Sequence, residues 1–156
     1  MTEYALIKDQ IKGFGETDPW FLPFLSNAAA VLYQSLPDII WAGFYLMHEG
    51  RLVLGPFQGN PACIHIEVGK GVCGTAVQER RIVRVADVHL FPGHIACDSQ
   101  SRSEIVLPLE KDGEIFGVLD IDSPKQNRFS EEDEAGLKEI AELIREMICL
   151  RGEVQA

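Results

Sequence analysis

Positive charge is scarce in this chain. Its 14 lysines and arginines face 24 aspartates and glutamates, leaving a formal net charge of −10, so a phosphate backbone or an anionic bilayer surface repels it. Neither nucleic acid nor a membrane is an expected partner. Long apolar runs are missing as well: the most apolar stretch, 27–46, is broken by Gln34, Pro37 and Asp38, and residues 1–10 show no basic segment leading into an apolar one. Nothing there reads as a bilayer span or an export signal, and a cytoplasmic location is expected. Repeats, low-complexity tracts and long linkers are absent too. With 156 residues at 46% hydrophobic content, residues 1–156 read as one domain with one core.

What is present is a set of short elements punctuated by Pro and Gly. Asp18 and Pro19 suit a helix start, and Phe21, Leu25, Ala28 and Leu32 recur at helical spacing as far as Gln34. Residues 39–48 and 51–55, joined at Glu49-Gly50, read as a hairpin. A third strand fits 63–68, where Cys63, His65 and Glu67 alternate with Ile64, Ile66 and Val68. Residues 71–80 suit a short helix whose free N-terminal amides can meet an anion. A loop covers 85–102, and strands at 103–110 and 114–121 flank an Asp112-Gly113 turn. Ser130 with Asp133 forms a capping box for a last helix, whose stripe is Leu137, Ile140, Ala141, Ile144, Met147 and Ile148. Adjacent strands have turns too short for helical crossovers, so the expected architecture is α+β: an antiparallel sheet with helices packed on one face.

Chemistry concentrates in two places. The 85–102 loop runs for roughly 18 residues, beyond the ordinary length for a compact domain, and such loops tend to bind or to cover a site. It carries Cys97 beside Asp98, with His89, His94 and Arg102 nearby, an accessible setting in which cations favour the thiolate. Either Cys63 or Cys73 can reach it across the sheet edge, although a lone cysteine is more often a packed small residue. Cys63, His65, Cys73, His94 and Cys97 include enough zinc ligands, but the paired spacing of a zinc site is absent apart from His94-x-x-Cys97, so no metal is expected. Cys149 receives no role. The second concentration is acidic. Asp120 and Asp122 project to one face of a strand and Glu104 starts its neighbour; a wall of three carboxyls suits an ammonium group, and mutual repulsion keeps a proton on at least one of them. Trp41 and Tyr45 offer an aromatic wall, against the plainer alternative of core packing.

The segments GKGVCGTA (69–76), ADVHLFPGHIACDSQSRSEIVLPL (86–109) and GVLDIDSP (117–124) resemble the free methionine-R-sulfoxide reductases, which are single GAF domains. The likeness runs from about Phe14 to Leu150. The resemblance implies a six-stranded or similar antiparallel sheet around an enclosed pocket, with no cofactor, and reduction of free rather than protein-bound methionine sulfoxide. It further implies that Cys97 is the attacking cysteine, Cys63 the resolving one and Cys73 an auxiliary third, with Trp41, Tyr45, Glu104, Asp120 and Asp122 lining the substrate pocket. By the same resemblance the sulfur chemistry passes through a sulfenic acid and a disulfide that thioredoxin reduces. Two rival expectations are a noncatalytic GAF module that binds a small ligand and a zinc or thiol sensor. The oligomeric state stays open, a homodimer included.

Overall fold

The computed structural model describes residues 2–95 and 97–151; Met1, Ala96 and 152–156, although part of the expected 1–156 domain, lie outside them. In chain order the elements are α1 (Tyr4–Thr17), α2 (Phe21–Ser35), β1 (Trp41–His48), β2 (Arg51–Gly59), β3 (His65–Ile66), α3 (Gly71–Glu79), β4 (Val83–Val85), β5 (Ser103–Lys111), β6 (Glu114–Ser123) and α4 (Glu131–Met147). The strands form one sheet in the order β3-β2-β1-β6-β5-β4, and every pairing is antiparallel. The chain has the α+β, antiparallel architecture expected. No helix among the described residues is long and apolar enough to cross a membrane.

Strand periodicity divides the interior into two clusters. Ala42 and Phe44 of β1, Ile105, Leu107 and Leu109 of β5, and Leu119 and Ile121 of β6 meet α1, α2 and α4. The alternate residues, Trp41, Tyr45, Val106 and Val118, pack with Val72, Cys73 and Ala76 of α3 on the other face. Three helices thus gather on one face as expected, while the short α3 covers the opposite one. The sheet is buried on both sides, so the apolar residues of β1 run almost without interruption instead of alternating with polar ones.

Three elements escape a sequence reading, one of them a single 3-10 turn at Val88–Leu90 within the 85–102 loop. Helix α1 buries Ile7, Ile11 and Gly15, a stripe too narrow to stand out, and β4 is three residues long. The third strand is shorter than expected. Only Ile66 of its apolar set is buried, while Ile64 is 64% exposed. The capping box is present: the Asp133 carboxylate accepts from Ser130 N–H at 2.9 Å, and the Ser130 hydroxyl accepts from Asp133 N–H at 3.1 Å. Asp133 also accepts from Tyr4 Oη at 2.6 Å, which ties α1 to the start of α4. Cys149 lies beyond α4; its N–H donates to Pro19 O and its carbonyl accepts from Phe21 N–H, fastening the chain end to the start of α2.

Candidate active site

The 85–102 loop is tied at its neck. Val85 pairs with Glu104 across β4 and β5, Val88 N–H donates to Arg102 O at 2.8 Å, and Arg102 N–H donates to Ser123 O at 2.7 Å. Its far end lies over α3: a Cβ on Gly71, where φ is +61°, would stand 3.2 Å from the Ile95 side chain. The positive φ favours glycine there, and the tight approach adds to it. The loop thereby brings Cys97 to Cys63, and the two are joined as a disulfide with Cα atoms 5.4 Å apart across 34 residues of sequence.

Beneath the disulfide is a cavity of about 50 Å³ lined by Trp41, Tyr45, Cys73, Glu104, Asp120 and Asp122, with Cys97, Asp98 and the first residues of α3 at its edge. That space suits a few water molecules. Register explains the convergence. On β6, Asp122 lies opposite Trp41 of β1 and Glu104 of β5, and Asp120 lies opposite Gly43 and Val106. Residues opposite one another share a face, so three carboxyls and the aromatic wall arrive on the α3 side together. All eight sequence-predicted site residues line this cavity or, as with Cys63, form the disulfide above it.

The carboxyl wall carries no buried cation among the described residues. Glu104 and Asp120 are 8% and 5% exposed, and burial pushes Glu104, Asp120 and Asp122 well above the usual carboxylate range, with repulsion from their acidic neighbours adding to it. These groups hold protons that exposed carboxylates would have lost. Burial likewise raises the Cys73 thiol, helped by Asp120 and Glu104; its Sγ lies 4.0 Å from Glu104 Oε2. One oxygen of Asp120, Oδ1, is buried without a hydrogen-bond partner, as is Asp98 Oδ2. An unpartnered buried acceptor of this kind calls for a donor from a ligand.

The aromatic wall is a stack. Trp41 lies between Tyr45, at 5.8 Å between ring centres, and Phe57 of β2, at 5.2 Å. Gly43 makes this arrangement possible, since a Cβ there would collide with the Phe57 Cβ and come within 2.9 Å of the Trp41 ring. The part of Phe57 and Gly43 depends on the β1–β2 register, which pairs them across the strands and which no local sequence pattern carries. Arg102 is exposed, and His65 is exposed on β3; neither lines the cavity, whereas His94 does. Burial and His89 hold the His94 imidazole below its ordinary value.

Among the described residues the donor set able to surround a cation is Cys73, Glu104 and Asp120, whose ligand atoms lie within 4.8 Å of one another. It differs from the His- and Cys-rich set weighed on the sequence, and a cation there would first have to displace the protons held by burial. At the third wall, the α3 amino end, Gly74 is the first residue whose N–H closes a helical bond, to Lys70 O at 3.0 Å. The preceding amides of a helix have no partner within it. The site therefore offers the amino end of a helix, proton-bearing carboxyls, an aromatic face and a pair of sulfurs joined as a disulfide.

The GAF domain family matches residues 22–148. The chain is 54% identical over 135 residues to the free methionine-R-sulfoxide reductase of Escherichia coli, covering 86% of this chain and 81% of that one. It is 51% identical over 149 residues to protein YtsP of Bacillus subtilis, covering 94% and 91%. The solved fRMsr of Staphylococcus aureus in complex with substrate superposes with a TM-score of 0.91 at 50% identity, covering 96% of this chain and 97% of the other. On these matches the chain belongs to the GAF family, among the free methionine-R-sulfoxide reductases.

Proposed function

We propose that this protein reduces free methionine-R-sulfoxide to methionine, with Cys97 as the attacking sulfur and Cys63 as its resolving partner. The observation that carries the reading is the Cys63–Cys97 disulfide standing over a cavity whose floor holds three protonatable carboxyls. The disulfide is the oxidised product such a cycle leaves behind. The Escherichia coli relative bears the name of this activity, and the Staphylococcus aureus structure holds a substrate.

In the reduced protein the Cys97 thiolate meets the sulfoxide sulfur. The oxygen leaves that sulfur only when protonated, and Glu104 or Asp122, each holding a proton by burial, supplies it. Oxygen passes from substrate to Cys97, which becomes a sulfenic acid as methionine is released. Cys63 then displaces the hydroxyl as water and closes the disulfide. A dithiol, thioredoxin in our reading, returns both cysteines to thiols and is itself oxidised. Cys73, its thiol proton retained by burial, stands by as an auxiliary group.

Selection for the free amino acid follows from the walls. Asp120 Oδ1, buried and unpartnered, accepts from the substrate ammonium. The α3 amino end receives the carboxylate, and Trp41 with Tyr45 packs on the S-methyl end. A residue inside a peptide lacks both charges and does not fit an enclosed pocket. Because the disulfide must be reduced again every turnover, we assign the protein to the reducing cytoplasm.

The test is NADPH consumption with thioredoxin and its reductase, using separated R and S sulfoxides as free amino acids and within a peptide. Turnover of the free R form alone is expected, and Cys97→Ser abolishes it. Equal turnover of the peptide, or an active Cys97→Ser, overturns the reading.

A further inference from the structure

Two aromatic side chains of β1, Trp41 and Tyr45, have polar edges that the substrate wall does not use. Trp41 Nε1–H donates to Asn60 O at 3.1 Å, and Tyr45 Oη–H donates to Cys63 O at 2.9 Å. Both rings are only 2% exposed and stack with each other, so neither donor is free to swing away. The next residue is held too, since Leu54 N–H donates to Ile64 O at 2.9 Å. Segment 60–64, which carries Cys63 and belongs to no helix or strand, is thus pinned at Asn60, Cys63 and Ile64.

We propose that Tyr45, assisted by Trp41, is a positioning residue for the resolving cysteine: its hydroxyl fixes the Cys63 backbone so that the sulfur stays within bonding reach of Cys97. The proposal deepens the reductase reading, which assigns Cys63 its part in the cycle. Holding one sulfur in place before the bond forms raises the effective concentration of that thiol at its partner. Both donors bond to backbone carbonyls and not to a sulfur. Both act through the 60–63 backbone, and the substrate wall and the resolving cysteine become one rigid unit.

Tyr45→Phe removes the donor and keeps the ring. The measurement is the equilibrium between the Cys63–Cys97 disulfide and the dithiol in a glutathione redox buffer, read by thiol alkylation and mass spectrometry. A shift of about three- to tenfold toward the dithiol is expected, the range of one net hydrogen bond. Trp41→Phe, which loses the Nε1–H donor, should shift the equilibrium in the same direction. The readout needs no sulfoxide, so it stands even if the wild-type protein reduces none, in which case the reductase reading falls separately. A wild-type equilibrium constant in Tyr45→Phe, with the fold intact by circular dichroism, overturns the proposal.

Discussion

Replacing Asp120 by Asn should make the protein more stable at neutral pH. Asp120 is 5% exposed, its Oδ1 has no partner, and Asp122, Glu104 and Cys73 surround it while Asp98 faces Asp122. Burial followed by the charge of Asp122 raises its carboxyl well above the ordinary range. In the unfolded chain the same group ionises near pH 4. A raised folded-state pKa means that the group's contribution is fully present below about pH 4 and is lost as pH rises through the folded value. Asn has the same shape, carries no titrating proton and offers an amide donor to the Glu104 carboxyl. Each tenfold of proton affinity that the carboxyl gains on folding is about 1.4 kcal/mol of stability that ionisation removes at higher pH, and for a domain of this size each kcal/mol moves Tm by about 2–4 °C. Thermal unfolding of the disulfide form should therefore show Asp120→Asn above wild type by several degrees at pH 8. The gap should narrow toward pH 4.5. A variant less stable than wild type at pH 8, or a gap independent of pH, would refute the account. The stabilised variant should also lose substrate affinity, since Asp120 is the group proposed to hold the ammonium.

Gly43→Ala places a methyl against Phe57 and the Trp41 ring; overpacking of this kind costs about 1–3 kcal/mol, visible as a lower urea midpoint. If the midpoint is unchanged, the stacked wall is looser than the contacts say. Ser130→Ala removes the cap of α4 and should cost about 1 kcal/mol, with no effect on the disulfide equilibrium because Ser130 is far along the chain from both cysteines and caps the opposite layer.

Sequence alone settled the parts whose signal is local. The capping box at Ser130 and Asp133, the stripe of α4, the β1–β2 hairpin, the turn at Asp112-Gly113 and the net charge of −10 are all properties of neighbouring residues. The pairing of Asp120 with Asp122 on one face was legible for the same reason, because a strand repeats every two residues. What the tertiary structure decided depends on register and on contact between distant segments. Only the β1–β6–β5 alignment brings Trp41, Asp122 and Glu104 side by side, and only the tied neck of the 85–102 loop brings Cys97 to Cys63. Helix α3 lies on the face opposite the other helices because the sheet has two apolar faces, and one covering layer cannot bury both. The protons on the carboxyl wall are likewise a product of folding: each acid is ordinary in an extended chain, and burial without a cation changes what it can donate.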